Sequence, residues 1–256
     1  MAVSRRKWLL VIPLAVILVS SRPVYLSYLH RVWSALDADD SASMEKCIKE
    51  GYPLDTAHLL TGETLLLRAV RHQRWECYQL LLESGANPNV QCGKLPVVVQ
   101  FAAFREQPKW LECALKHGAD PNLVNSISVG HGLSPAVFWA VSAHNGQNVR
   151  LLLDAGASPE STDEVGNTIL AYAADFGMFS VVQDLIRRGA DLLRSSRNGA
   201  SLLNELKCYG IDFYGPSAMQ EKNALMEVRK MVVGSHLCRE EELTAEANIV
   251  IHDYVP

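Results

Sequence analysis

No charge of one sign dominates this sequence. Its 24 basic and 28 acidic residues leave a net charge of −4. There is no surplus of cations to neutralise phosphates, which excludes a dedicated nucleic-acid binder. Cysteine is sparse: 6 in 256 residues is far below the density of a small disulfide scaffold. With 48% hydrophobic and 20% charged residues, collagen-like, low-complexity and wholly disordered chains are excluded too. The sequence lacks a P-loop, a dinucleotide glycine fingerprint, a His-Glu-x-x-His pair and a Gly-x-Ser-x-Gly elbow. His236 and Cys238 lie two apart with Cys208 upstream, but paired metal-ligand spacing is missing. No base is evident to activate Cys238. The expectation is a non-enzyme without metal, cofactor or small-molecule substrate. No Asn-x-Ser/Thr acceptor occurs, which fits an exported bacterial protein or any chain never glycosylated.

Long apolar runs are confined to the N-terminus. Residues 8–21 read WLLVIPLAVILVSS, preceded by Arg5, Arg6 and Lys7. A basic n-region followed by an apolar h-region describes an export signal. Residues 8–29 are long enough to span a bilayer, which takes about 20 apolar residues, with Arg22 and Pro23 as an interruption and Arg22 free to snorkel. Val19 and Ser21 suit a cleavage site, but Arg22-Pro23 directly after them does not. An uncleaved anchor over residues 1–30 is therefore preferred to a cleaved signal peptide. No Cys follows before Cys47, so a bacterial lipoprotein anchor is not supported. The positive-inside rule then places the rest of the chain outside the cytoplasm. The expected location is the inner membrane, single pass, facing the periplasm; the alternative is a soluble periplasmic protein.

A short phrase recurs through the middle: GYPLD at 51–55, GANPN at 85–89, GADPN at 118–122, GASPE at 156–160 and GADLL at 189–193. The glycines are spaced 34, 33, 38 and 33 residues apart. A period near 33 means stacked supersecondary units. Each phrase follows an apolar helical stretch. The Gly supplies a left-handed C′ residue and the Pro stops the helix from resuming. About ten residues later a second helix is predicted, with Thr64, Ser134, Thr168 and Ser201 as N-cap types. Small residues follow and let helices approach closely.

These residues resemble the ankyrin repeat. The family phrase Thr-Pro-Leu-His-x-Ala is degenerate here: TLLLRA at 64–69, LPVVVQ at 95–100, SPAVFW at 134–139 and TILAYA at 168–173. The family histidine is missing from all four, and the glycine phrase is the stronger match. The resemblance implies an all-α solenoid of helix-turn-helix units with hairpin loops over residues 31–207. Residues 33–50 are expected to form an N-terminal cap pair turning at Asp39, Asp40 and Ser41. Residues 208–256 are expected to form modified C-terminal capping helices and a tail, with a helix starting after Ser217 and ending at Gly234. Cys47, Cys77 and Cys113 are expected in the core, too far apart for repeat-to-repeat disulfides, with Cys92 the accessible one.

Two irregularities stand out. The 38-residue interval places extra length at residues 123–132, read as an extended hairpin finger. Residues 104–110 enlarge a turn between two helices and are read as a spacer. In ankyrin-like stacks the hairpin tips and the exposed side of the first helix line a concave surface. Carried onto this sequence, the expected partner-binding residues are Leu60, Glu63, Arg71, His72, Lys94, Asn125, Ile127, Val129, His131, Glu164, Asn167, Asp175, Phe176 and Arg197. Phe176 is the one aromatic ring of Phe, Trp or Tyr type in that set, read either as an exposed anchor or as tucked against the next repeat. The resemblance thus implies a non-enzymatic module for a protein partner. With the export-type N-terminus, the chain resembles exported bacterial ankyrin-repeat proteins, some of which are immunity proteins for type VI secretion phospholipase effectors. The alternative is a membrane-tethered scaffold for an envelope protein complex.

Overall fold

A computed structural model describes residues 22–58, 60–92, 95–124, 134–192, 194 and 218–234. Helices α1 (Arg22–Ala38) and α2 (Ser41–Lys49) form the first pair. Four repeats follow, each a short inner helix and a longer outer one. They are α3 (Leu65–Arg71) with α4 (Trp75–Glu83), α5 (Val98–Phe104) with α6 (Lys109–Lys116), α7 (Ala136–Ser142) with α8 (Gly146–Asp154), and α9 (Ile169–Asp175) with α10 (Phe179–Arg187). Helix α11 (Ala218–Gly234) packs on α10. Each inner helix stacks on the next inner helix, and each outer helix on the next outer one. Apart from one isolated bridge between Thr162 and Thr168, the described residues hold no strand. The all-α solenoid is as expected.

The sequence explains the elements. Thr64 Oγ1 accepts the Leu67 N–H at 3.2 Å, and Thr168 Oγ1 accepts the Ala171 N–H at the same distance. Each satisfies one of the orphan donors at a helix start. Helix α7 starts one residue later than its Ser134 suggests, with Pro135 as N-cap. In α5 a glutamine does the hydroxyl's work from the far side. Gln100 Oε1 accepts the Val97 N–H at 2.7 Å, while its Nε2 donates to Ser134 O of the next repeat at 2.6 Å.

The core is a continuous seam between the two helix layers. Leu65, Leu66, Leu67 and Val70 are fully buried, and Ala102, Ala103, Ala140, Ala173 and Ala174 sit where inner helices touch. Burying each such Leu is worth about 1.5–3 kcal/mol. No single repeat can hide its seam alone, so stability sums over neighbouring interfaces.

The phrase loops are laced together. Asn89 Nδ2 donates to Gly118 O at 2.8 Å while its Oδ1 accepts the Asp120 N–H at 2.8 Å. Asn122 repeats the pattern one unit on, with Gly156 O at 2.9 Å and Ser158 N at 3.0 Å. Asp55 and Glu160 accept from Asn87 N and Asp191 N in the same register. The last residue of each of the first four phrases is thus a tie to the next.

Two expectations need correction. The 104–110 turn is an integrated joint, not a spacer, because Asn145 and Asn148 of the next repeat donate to its carbonyls. Cys92 is buried, only 4% exposed, and so is not the accessible thiol; Cys47 and Cys77 are buried as expected, and Cys113 is half-buried.

Among the described residues no helix is long and apolar enough to cross a membrane. The expected anchor lies mostly outside them, at residues 8–21, as do the finger beyond residue 124, the Ser201 cap and the tail after Gly234. The expected C-terminal cap helix is present. It buries Ala224, Leu225, Val228 and Val232, and its Glu221 accepts from Ser180 N (2.8 Å) and Ser180 Oγ (2.7 Å) at the start of α10.

Candidate functional site

The inner helices align in columns. Thr64, Val97, Pro135 and Thr168 are equivalent N-cap positions. Four residues after each comes Arg68, Phe101, Trp139 or Tyr172, and seven after each comes Arg71, Phe104, Ser142 or Asp175. The first column is a ladder of rings with a cation at its N-terminal end. Phe101 and Trp139 centroids lie 5.7 Å apart, and Phe104 meets Trp139 edge-on at 6.1 Å. Phe138 and Tyr172 are 5.1 Å apart, and Ser142 Oγ lies 3.0 Å from the Tyr172 hydroxyl. Arg68 stands over Trp33, 5.7 Å from its centroid.

Beside the rings stands the hairpin between α8 and α9. Asp163 Oδ1 accepts the N–H groups of Val165 (3.0 Å) and Asn167 (2.7 Å), and Asn167 Nδ2 donates to Asp163 Oδ2 at 2.8 Å. Between hairpin and helices lies an open groove of about 500 Å³. Phe104, Phe138, Trp139 and Tyr172 line it with Ser134 and Ser142, facing Asp163, Glu164 and Val165. Phe104 and Val165 are 49% and 56% exposed, so two large apolar side chains stand free at this groove.

The expected residues are scattered relative to it. Glu164 lines the groove, and Asn167 braces the hairpin beside it. Phe176 is no free anchor: it is half-buried, stacked on Tyr172 at 4.8 Å and on His144 at 5.4 Å. Asp175 is exposed. Leu60, 92% exposed, tips the first hairpin, near exposed Arg71 and His72. Glu63 is a correction. Its side chain is 2% exposed and ion-paired to Arg71 and, at 3.5 Å, to Arg68. A buried carboxylate held by two guanidinium groups fixes the hairpin and offers little surface of its own. Arg68 also forks onto Asp37 through Nε (2.8 Å) and Nη2 (2.9 Å), holding that carboxyl below its ordinary range. Lys94, Asn125, Ile127, Val129, His131 and Arg197 lie outside the described residues.

Sequence reasoning missed Phe104, Trp139 and Tyr172. The signal was there: Phe101, Trp139 and Tyr172 repeat the 38- and 33-residue steps of the phrase glycines. Among the described residues no group of three His, Cys, Asp or Glu is placed to hold a metal.

The family model "Ankyrin repeats (3 copies)" matches residues 99–196, and "Ankyrin repeat" matches residues 61–93. The putative ankyrin repeat protein YahD of Escherichia coli K12 is 26% identical over 191 residues, covering 61% of this chain and 94% of its own. Mitochondrial disaggregase from Bos taurus is 30% identical over 142 residues, covering 55% of this chain but 20% of its own length. Among solved structures, the ankyrin-repeat protein EF0377 superposes with a TM-score of 0.62 at 20% identity, covering 77% of this chain and 95% of the other. The ankyrin domain of Bcl-3 gives 0.59 at 21%, covering 79% and 85%. A chain from the complex of the Bdellovibrio bacteriovorus predatory endopeptidase Bd0816 with immunity protein Bd3460 gives 0.59 at 19%, covering 77% and 97%. Identities this low carry the fold alone. With both models matching the repeats that the helices and loop ties display, this chain belongs to the ankyrin-repeat family, whose repeats bind protein partners.

Proposed function

We propose that this chain is an immunity-type inhibitor, a non-enzymatic protein that clasps a secreted toxin in its aromatic groove and covers the toxin's working surface. The observation that carries the reading is the groove itself, where Trp139, Tyr172 and Phe104 stand partly open against the 163–165 hairpin. Rings held by neighbouring repeats lose little freedom on binding. Partly exposed aromatics are the side chains that most often dominate an interface. The fold likeness to the Bd0816–Bd3460 complex supports an inhibitor, and the ankyrin family supports a protein partner. The export-type N-terminus supports a place outside the cytoplasm, anchored through residues 8–29 with the repeats in the periplasm. The sequence resemblance makes an antibacterial phospholipase the toxin class to try first.

The test is co-expression in the periplasm with a toxin encoded beside this chain. Survival with the intact chain, lost with Trp139→Ala, is expected; equal killing with and without the chain overturns the inhibitor reading. A pull-down in mild detergent that brings several envelope proteins and no toxin would support the scaffold reading instead. Protease digestion of spheroplasts should destroy the repeats if they face the periplasm and spare them if they do not.

A further inference from the structure

The groove is chemically lopsided. Its floor is aromatic and its hairpin wall carries two carboxylates, yet no cation stands among its described lining residues. The two acids differ in employment. Asp163 is occupied by the N–H groups of Val165 and Asn167 and by the Asn167 amide. Glu164 is exposed at the hairpin tip and has no ion pair or hydrogen bond among the described residues.

These surroundings discriminate between occupants. Ring faces attract a cation through their quadrupole, and a guanidinium stacks on them better than a compact ammonium. A carboxylate such as Glu164 adds a charge-assisted hydrogen bond to the same group. The methylene stem of an arginine suits the exposed apolar rim at Phe104 and Val165. A purely apolar insert would desolvate Glu164 without giving it a partner. An anionic insert would meet two like charges.

The geometry points to a partner arginine as the occupant: a protein loop that inserts an arginine, flanked by an aliphatic residue, between the Trp139–Tyr172 rings and Glu164. This inference rests on the groove being the partner site.

The full chain is titrated with the peptide acetyl-Ile-Arg-Ile-amide and with its neutral citrulline isostere. Binding is followed on the Trp139 indole N–H resonance, identified by its loss in Trp139→Phe. The arginine peptide should bind at least about fivefold more tightly than the citrulline peptide. Glu164→Gln should bring the arginine peptide down to the citrulline level, with an unchanged melting temperature. Equal affinity for the two peptides, or indifference to Glu164→Gln, overturns the assignment. The toxin capture assay separates the two readings. Capture that falls with Trp139→Ala but not with Glu164→Gln overturns the arginine and leaves the groove standing; indifference to both overturns both.

Discussion

Asn148, fully buried in α8, donates its side-chain amide to two carbonyls of the preceding repeat: Ala103 O at 2.9 Å and Arg105 O at 2.8 Å. Asn145, which also caps α8 by accepting the Asn148 N–H, donates to Arg105 O and Glu106 O. The other inner–outer turns pass through a left-handed residue: Asp39, Gln73, His144 and Gly177. The 105–108 turn has no such residue and leaves its carbonyls to the neighbour. Asn148→Leu should therefore cost about 1–3 kcal/mol, because Ala103 O loses its side-chain donor and Arg105 O keeps only the one from Asn145. Urea unfolding checks this, and a loss below a few tenths would show that water or a rearranged turn replaces the amide.

Glu63 tests whether the first hairpin is a structural knot or a binding tip. Its side chain is buried, while its partners Arg68 and Arg71 are 22% and 47% exposed. Glu63→Gln leaves two guanidinium groups facing a neutral amide, and should destabilise by about 1–2 kcal/mol after allowing for solvent around Arg71. Arg71→Ala should cost less, since Arg68 remains. Partner capture should survive Glu63→Gln at protein concentrations where the fold is intact; selective loss of capture would return Glu63 to the binding surface.

The Asp37–Arg68 fork carries a pH signature. The guanidinium hydrogen bond, foremost, holds the Asp37 carboxyl below its ordinary value. A depressed folded-state carboxyl contributes stability that is fully present above the unfolded value, about 4. That contribution fades as pH falls through the folded value. Asp37→Asn should thus be less stable than the parent at pH 7, and the two should converge on acidification below about pH 4. The gap is expected to stay under about 1 kcal/mol, because the pair is partly solvated. Denaturation at a series of pH values, with a gap that persists or widens in acid, would contradict the assignment.

The repeat was legible because its chemistry is local. A C′ glycine, a following proline and a terminal Asn, Asp or Glu that ties to the next loop recur in a five-residue phrase, so periodicity alone exposes them. Thr64 and Thr168 were readable as caps for the same reason. The groove was not, because register fails where a cap is unorthodox. Reading LPVVVQ from Leu95 and SPAVFW from Ser134 sets those repeats two and one residues early of their N-caps, Val97 and Pro135. That slip scatters Phe101, Trp139 and Tyr172 over different columns and hides the ladder. Carrying over the family's concave surface places Glu63 among exposed residues, whereas its burial depends on Arg68 and Arg71 pairing with it.

The thiols offer a chemical readout of the seam. Burial, with help from Asp39, pushes the Cys77 thiol up to about 12, and burial raises Cys113 as well. A thiolate is the reactive form, so Cys77 should stay unalkylated in native protein at pH 8 and react fully in denaturant. Cys92 should also label slowly in native protein, because its side chain is buried away from the reagent. Peptide mass spectrometry after brief alkylation reads each site. Rapid native labelling of Cys77 would mean that α4 does not pack against α2.

Two glycines at opposite ends of α8 should respond to alanine with opposite signs. Gly156 ends α8 with φ +94°, its N–H reaching Leu153 O at 3.2 Å, and a Cβ there would meet nothing within 4 Å. Gly156→Ala therefore pays only the left-handed backbone penalty, about 1–2 kcal/mol. Gly146, at the start of the same helix, has no such backbone constraint, and a Cβ there would sit 3.6 Å from Val181 Cγ2 and 3.8 Å from Met178 Cε. Those are ordinary contacts with α10 and its cap. Gly146→Ala should raise stability by about 0.5 kcal/mol, because the unfolded chain loses freedom it would otherwise regain. Thermal unfolding of the two variants beside the parent decides the matter. If both moved stability in one direction, either the phrase glycine would not be left-handed in solution or the start of α8 would be strained.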